Sequence, residues 1–176
     1  MSTAIGTEAP TFALPDTDGV EHGVAERNLP PATLVVFTCN HCPYALAWHD
    51  RIAAVARDYD DVEVLAVSSN DAERYLRDSY DAMRERVARD GGWPMPYLYD
   101  ESQDVARAYG ARTTPDCFVI DAEGRIVYRG APDADHEDPS LNAAWLREAL
   151  DAVLAGSEPA TAETKPVGCS IKWRES

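Results

Sequence analysis

Short apolar runs alternate along the chain with segments whose apolar residues recur at helical spacing. The runs at 32–38 (ATLVVFT) and 62–68 (VEVLAVS) are rich in β-branched residues, which favours buried strands. Between them, apolar residues recur every three or four positions from Pro43 onward, which predicts a helix. Proline suits a first helical turn, because the amide that it lacks would have no partner there. Strand, helix and strand in this order indicate an α/β domain.

The rest of the pattern completes this picture. It predicts, in chain order, an N-terminal β-hairpin from Thr11 with an Asp-Gly turn, a helix from the capping residues 69–71 to about Ala88, a strand at 96–99, a helix at 102–109, two hairpin strands at 117–120 and 126–128, and a last helix at about 141–154. We therefore expect an α/β fold in which helices flank a mixed central β-sheet, with the β-hairpin as an N-terminal extension.

The end of the chain differs in composition from the rest. Residues 158–166 are rich in Ala, Thr, Glu and Pro, as in a linker, but they are followed by VGCSIKW at 167–173. Exposed to solvent, the apolar side chains of this last stretch would lose favourable burial. We therefore divide the chain into a domain of residues 1–156 and a C-terminal tail of residues 157–176 that docks back on the domain.

The candidate chemistry lies in a C-x-x-C motif, Cys39-Asn40-His41-Cys42, between the first buried strand and the first helix. Two intervening residues allow both sulfurs to lie in one turn, close enough for a disulfide. The helix N-terminus favours a thiolate, so we expect Cys39 to be the reactive thiol and Cys42 its partner. His41, when protonated, would stabilise the thiolate further, and Pro43 would start the helix. Replacing His41 with proline should then make the couple more reducing.

A metal site and inert packing are the alternatives for this motif. A structural zinc site needs four ligands, and the remaining cysteines, Cys117 and Cys169, are isolated in the sequence. A thiolate module built from Cys39, Cys42 and Cys169 stays open as a hypothesis. Cys117, in a predicted central strand, is expected to be a buried apolar residue. Redox chemistry without a metal or an organic cofactor is the preferred interpretation.

A second motif, Thr113-Thr114-Pro115, precedes the strand that starts at Cys117. Together with the strand, C-x-x-C and helix, it resembles the thioredoxin superfamily. The resemblance implies a cis peptide bond at Pro115, lying against the cysteine pair. It also implies that the backbone at Thr114 pairs with an extended substrate. A proline that merely starts a strand is the simpler alternative.

Motifs near both ends of the chain point to a more specific group within this superfamily. The opening GTEAPTFALPDTDG is similar to the redoxin branch that includes alkyl hydroperoxide reductase and thiol-specific antioxidant proteins. VGCSIKW and TCNHCPY resemble peroxiredoxin-like proteins of the thioredoxin family, and the likeness covers nearly the whole chain. It implies a thiol-disulfide oxidoreductase with Cys39 as nucleophile and Cys42 as resolving thiol. Its partners would be disulfides or dithiols of proteins or small molecules, and an electron donor that the sequence does not identify.

A thiol peroxidase is the alternative activity, with Cys39 or Cys42 oxidised to a sulfenic acid. A peroxiredoxin carries Pro-x-x-x-Thr/Ser-x-x-Cys. If Cys42 is aligned with the last position, Cys39 replaces the hydroxyl residue and Val35 the proline. If Cys39 is aligned there, Val36 replaces the hydroxyl residue. Because neither register supplies the hydroxyl, we prefer disulfide exchange.

The net charge of the chain limits the partners that it can bind and the solution conditions that suit it. Asp and Glu number 31 against 16 Lys and Arg, a formal net charge of −15 that repels nucleic acids and anionic lipids. Only Lys165 and Lys172 are lysines, and such a balance suits a halophilic protein kept soluble in high salt. Uninterrupted apolar runs such as Leu34–Phe37 are far too short for a membrane span, and no basic and apolar leader is visible. We therefore expect a cytoplasmic protein.

Cys169 is the least expected cysteine in a domain with one redox pair. The nine residues of 158–166 span up to roughly 30 Å when extended, enough to bring Cys169 to the Cys39 region. Cys169 is therefore a candidate third redox thiol, and a purely structural, buried residue is the alternative.

Overall fold

The computed structural model describes residues 4–175. Its strands are Phe12–Pro15 (β1), Glu21–Val24 (β2), Ala32–Thr38 (β3), Val62–Ser68 (β4), Tyr97–Tyr99 (β5), Thr113–Thr114 (β6), Asp116–Asp121 (β7), Ile126–Gly130 (β8) and Cys169–Ser170 (β9). Its α-helices are Pro43–Asp58 (α1), Tyr80–Arg89 (α2), Asp104–Tyr109 (α3) and Ala144–Leu154 (α4), and two 3₁₀ turns lie at Leu76–Asp78 and Pro139–Leu141.

A five-stranded mixed sheet forms the centre of the fold, in the order β5-β4-β3-β7-β8. β3 pairs in parallel with β4 and antiparallel with β7, and β5 and β8 extend the sheet at its two edges. All seven residues of β3 are buried. Such complete burial explains its mostly apolar sequence, since this strand has layers on both faces. The predicted mixed sheet with flanking helices is confirmed.

Successive residues of β3 contribute to two separate cores, as the twofold periodicity of a strand requires. Leu34 and Val36 pack on one face with side chains from α1, α2 and α4, including Trp48. Val35 and Phe37 pack on the opposite face with α3, the β-hairpin and residues of the C-terminal tail. The β1–β2 hairpin is antiparallel, as predicted, and belongs to this second layer.

The second helix begins later than the sequence pattern predicts. α2 starts at Tyr80, and its cap is Ser79, whose hydroxyl accepts a hydrogen bond from the Ala82 amide at 3.1 Å. The expected capping residues Asn70 and Asp71 serve other partners. Asn70 Nδ2 donates to Asp78 at 2.9 Å, and the Asp71 amide donates to the carbonyl of Lys172 in the C-terminal tail at 2.8 Å. Long-range contacts therefore override a local helix signal.

The last helix is also shorter than predicted. A 3₁₀ turn occupies Pro139–Leu141, and α4 begins only at Ala144. The buried carboxylate of Asp133 accepts a hydrogen bond from the Ala143 amide at 2.9 Å and so holds the start of the helix.

The C-terminal tail lies against the domain at two places. The Thr164 amide donates to the carbonyl of Arg129 in β8 at 3.0 Å, and its hydroxyl is 2.7 Å from that of Tyr128. Further along, β9 pairs antiparallel with β6, with Cys169 opposite Thr114. Residues 158–166 are thus partly anchored, unlike a free linker. Within residues 4–175, no helix is long and apolar enough to cross a membrane.

Candidate active site

The two cysteines of the motif lie at the end of β3 and the start of α1. Cys39 follows β3 directly, Cys42 is the N-cap residue of α1, and Pro43 occupies the first helical turn. Both thiols are fully buried, with 0% of either residue exposed. The backbone amide of Ala45, in the first turn of α1, donates to the Cys42 sulfur. The helix N-terminus therefore acts on the second cysteine of the motif.

The loop before β7 lies against both sulfurs. The Thr114–Pro115 peptide bond is cis, as the resemblance implied. The Cys42 thiol donates to the Thr114 carbonyl at 3.1 Å, and the Thr114 hydroxyl is 3.5 Å from Cys39 Sγ. One buried residue, remote in sequence, thus contacts both members of the pair.

The thiols of Cys39 and Cys42 share a hydrogen bond, and their titrations are linked. The hydrogen bond donated by Cys39 has the largest effect on the pKa of Cys42 and lowers it, whereas burial raises it. Thr114 and the Ala45 amide also donate, and the net result is a pKa of Cys42 lowered to about 4. The pKa of Cys39 is raised by the hydrogen bond to Cys42, by burial and by the negative charge of Asp78. These contacts favour a negative charge on Cys42 over one on Cys39.

This distribution of charge differs from the prediction that Cys39 is the low-pKa thiol. The main physical reason is the hydrogen bond that Cys39 donates to Cys42, and the Ala45 amide at the start of α1 makes a smaller contribution in the same direction. Asp78, which has no recognisable signal in the sequence, acts against a charge on Cys39. The Thr114 carbonyl accepts from Cys42 only while that thiol is protonated.

Asp78 is a fully buried carboxylate beneath the motif, and sequence reasoning missed it. It accepts a hydrogen bond from the Asn40 amide at 2.7 Å, and His41 Nδ1 lies 2.5 Å from its other oxygen. The backbone amide of His41 donates to the Cys39 sulfur. His41 therefore acts on the pair through its backbone and, when protonated, offsets the charge of Asp78.

Arg86 and Tyr97 hold the same loop from the α2 side. Arg86 Nη1 donates to the Cys39 carbonyl at 3.1 Å and to Asn40 Oδ1 at 3.0 Å. The Tyr97 hydroxyl donates to the same amide oxygen at 2.8 Å. These contacts engage the Cys39 carbonyl and the Asn40 side chain, and so hold the loop that carries both sulfurs.

The C-terminal tail brings a third thiol to the site. Cys169 lies opposite Thr114 in the β6–β9 pair, and its thiol is hydrogen-bonded to that of Cys42. Unlike Cys39 and Cys42, it is partly exposed to solvent. The backbone of Thr114, which the resemblance assigns to substrate pairing, is thus paired with the protein's own tail.

One group of three ligand atoms within the described residues could hold a metal ion. The ligand atoms of Cys39, His41 and Asp78 all lie within 4.8 Å of one another. This set differs from the thiolate module of Cys39, Cys42 and Cys169 expected from the sequence. The ion pair of His41 with Asp78 already uses two of the three ligands.

Cys117 lies apart from this chemistry. It is fully buried in β7, and burial, followed by the charges of Asp116 and Asp133, raises its pKa well above the usual range. A buried, protonated thiol behaves as a small apolar side chain.

The sequence of the chain also matches the model of a known protein family. Residues 5–129 match the model of the AhpC/TSA family. The chain belongs to this family. The match includes the β-hairpin, the C-x-x-C motif and the cis-proline loop, and it ends before the C-terminal tail.

Three proteins that are similar to this AhpC/TSA protein show its relationship to known sequences and folds. It is 25% identical over 127 residues to the thiol-disulfide oxidoreductase ResA of Geobacillus thermodenitrificans, covering 71% of this chain and 68% of the relative. An uncharacterized conserved protein from Geobacillus kaustophilus is 38% identical, with a TM-score of 0.91 over 98% of this chain and 94% of that one. The exposed lipoprotein thioredoxin of Streptococcus pneumoniae, 20% identical, gives a TM-score of 0.61 over 77% and 98%. The fold is thioredoxin-like.

Proposed function

We propose that this AhpC/TSA-family protein is a thiol-disulfide oxidoreductase that works through Cys39 and Cys42. The observation that carries the proposal is the hydrogen-bonded pair of thiols at the start of α1, in contact with the Thr114–Pro115 loop. Membership of the family and the likeness to a protein named thiol-disulfide oxidoreductase support an oxidoreductase.

The reaction is a pair of exchange steps. The Cys42 thiolate attacks one sulfur of a substrate disulfide, which forms a mixed disulfide and releases the other substrate sulfur as a thiolate. Cys39 then gives up its proton and attacks Cys42 Sγ, which releases the second substrate sulfur and leaves the Cys39–Cys42 disulfide. Two electrons pass from the pair to the substrate, and the two substrate thiolates take up protons. The reverse sequence oxidises a substrate dithiol.

Each neighbour of the pair has a role in these steps. The donors around Cys42 stabilise the attacking thiolate, and Asp78 disfavours a charge on Cys39. Arg86 and Asn40 keep the loop in place while bonds change. We propose disulfides and dithiols of proteins or small molecules as substrates, since no bound cofactor takes part in either step.

Stoichiometric reduction of a disulfide tests the proposal. The reduced protein should consume one equivalent of oxidised glutathione and form the Cys39–Cys42 disulfide. Cys39→Ser and Cys42→Ser should each fail to form that disulfide, whereas Cys117→Ser, which changes a buried cysteine of β7 outside the redox pair, should behave as the wild type. A double variant with both Cys39→Ser and Cys42→Ser serves as the decisive control. If it consumed oxidised glutathione at the wild-type rate, the proposal would be overturned.

A thiol peroxidase is the second candidate, and one contact favours it. The Thr114 hydroxyl, 3.5 Å from Cys39 Sγ, supplies from the opposite loop the hydroxyl that the motif lacks. Peroxide consumption with dithiothreitol as donor separates the two functions. A rate no greater than that of dithiothreitol alone rejects the peroxidase, and a faster rate that Thr114→Val abolishes supports it.

A further inference from the structure

The redox pair has no surface exposed to a partner sulfur in this conformation. Cys39 and Cys42 have no exposed surface, and the C-terminal tail contributes to their cover. Cys169 packs against the same small cluster and keeps some contact with solvent. Of the three thiols, Cys169 is therefore the one that a partner meets first.

Several contacts hold Cys169 in register rather than merely near the site. On its N-terminal side, Gly168 lies so close to the cis peptide that a Cβ there would collide with the Thr114 carbonyl. On its C-terminal side, Ile171 is buried in the core, and its amide donates to the Arg112 carbonyl at 2.9 Å. The Lys172 amide donates to Asn70 Oδ1 at 2.8 Å.

We propose that Cys169 is a third redox thiol that exchanges with the buried pair through Cys42 and passes the disulfide to the surface. This inference rests on the proposed function of the pair and adds the path by which partners reach it. Cys42 is the central sulfur, because its thiol is hydrogen-bonded to both Cys39 and Cys169. The main groups that change the pKa of Cys39 are Cys42, Thr114, His41 and Asp78, and Cys169 is not among them.

The exchange needs no further oxidant once the pair is oxidised. The Cys169 thiol loses its proton and its thiolate attacks Cys42 Sγ of the Cys39–Cys42 disulfide. The Cys42–Cys169 bond forms, the Cys39–Cys42 bond breaks, and Cys39 leaves as a thiolate that takes up a proton. A partner thiolate then attacks Cys169, forming a mixed disulfide that a second partner thiol resolves, which leaves the partner oxidised and Cys42 and Cys169 reduced.

The electrostatics of the site favour exchange only in the oxidised protein. In the reduced protein, burial, the hydrogen bond to Cys42 and the charge of Cys42 raise the pKa of Cys169 to about 11, while Lys172 acts in the opposite direction. A disulfide sulfur at Cys42 carries no charge and accepts only a weak hydrogen bond from Cys169. Of the three causes that suppress the Cys169 thiolate, one therefore disappears and another weakens when the pair is oxidised.

A matched pair of full-length variants tests which sulfur Cys169 reaches. Each is treated with oxidised glutathione, and its disulfides are located by peptide mapping. Cys39→Ser should yield the Cys42–Cys169 bond, and Cys42→Ser should yield about tenfold less of the Cys39–Cys169 bond. A free Cys169 in the first variant, or equal linkage in both, would overturn the proposal.

Kinetics separate this proposal from the function on which it rests. The oxidised protein is mixed with a reduced two-cysteine peptide. Cys169→Ser should still form the Cys39–Cys42 disulfide but oxidise the peptide about tenfold more slowly, and Cys117→Ser should match the wild type. If Cys169→Ser oxidises the peptide as fast as the wild type, the role of Cys169 as a third redox thiol is overturned and the proposed function of the pair is not. A wild type that forms no Cys39–Cys42 disulfide overturns the proposed function itself.

Discussion

At the scale of single residues, the hydrogen bonds and charges that meet each sulfur decide how the motif is charged. Cys42 caps α1 and receives hydrogen bonds from the Ala45 amide and from neighbouring thiols, whereas Cys39 faces the buried carboxylate of Asp78. The sulfur nearer to donors holds the charge, and the sulfur nearer to an anion holds the proton. The two cysteines are thus inequivalent before any substrate arrives.

The thiolate of the reduced protein should belong to Cys42. Because its pKa is lowered to about 4, thiolate absorbance at 240 nm should rise through about pH 4 and stay level to neutral pH. An ordinary thiol would be charged only above about pH 8.5. At pH 7 the signal should persist in Cys39→Ser and be lost in Cys42→Ser. The opposite pattern would assign the charge to Cys39.

His41 and Asp78 should shift the redox potential in opposite directions. His41→Ala removes the imidazole that pairs with Asp78, so the carboxylate acts unopposed on the thiolate, destabilises it and makes the couple more reducing. His41→Pro should be more reducing still, because it also removes the amide that donates to Cys39. Asp78→Asn should make the couple more oxidising. Equilibration with glutathione buffers measures all three, and a shift of the same sign in His41→Ala and Asp78→Asn contradicts this account.

At the scale of elements, the C-terminal tail covers two edges that the rest of the fold leaves open. Residues 162–164 lie along β8, the edge strand of the central sheet, and β9 pairs with β6 beside the redox pair. Unpaired strand edges readily pair with other chains. A substrate that pairs with Thr114, as the resemblance implies, must first displace β9.

Gly168→Ala should release the tail from the site. The added Cβ would meet the Thr114 carbonyl, so β9 must move away from β6. We expect faster alkylation of Cys39 and Cys42 in the reduced protein, measured by mass spectrometry, with the domain still folded by circular dichroism. Ser170→Ala is the matched control, since the exposed side chain of Ser170 bonds only Lys172 among the described contacts of the tail. Equal rates in wild type and Gly168→Ala would mean that the tail does not limit access.

At the scale of the whole molecule, charge sets the conditions under which the fold is stable. A net charge of −15 on 176 residues repels itself, and the compact state brings those charges closer together. Salt screens the repulsion, with a Debye length of about 10 Å at 0.1 M and about 3 Å at 1 M.

The melting temperature at pH 7 should rise between 0.1 M and 2 M KCl. For a chain of this size, each 1 kcal/mol of added stability corresponds to about 2–4 °C. The same comparison near pH 4.5, close to the sequence isoelectric point, is the control, because little net charge remains to be screened. Thermal unfolding followed by circular dichroism measures both. A melting temperature independent of salt at pH 7 would remove the inference of a high-salt habitat.

Much of the fold was predictable because its signals are local. The apolar run of β3, the helical periodicity of α1 and the Asp-Gly turn of the hairpin each depend on neighbours in sequence, and each is observed. α2 was misplaced for the opposite reason. Asn70 and Asp71 are good capping residues, but tertiary contacts with Asp78 and the tail employ them elsewhere.

The sequence by itself determined the α/β architecture and the two cysteines at a strand-to-helix junction, and the resemblance to the thioredoxin superfamily implied the cis-proline loop beside them. Only the tertiary structure decided which cysteine holds the charge and what covers it. Asp78, 38 residues from Asn40, and Cys169, in the tail, reach the pair through chain folding, so no local pattern announces them. The physical reason is range: periodicity records contacts between near neighbours, whereas burial and charge at a site are set by whatever the fold brings there.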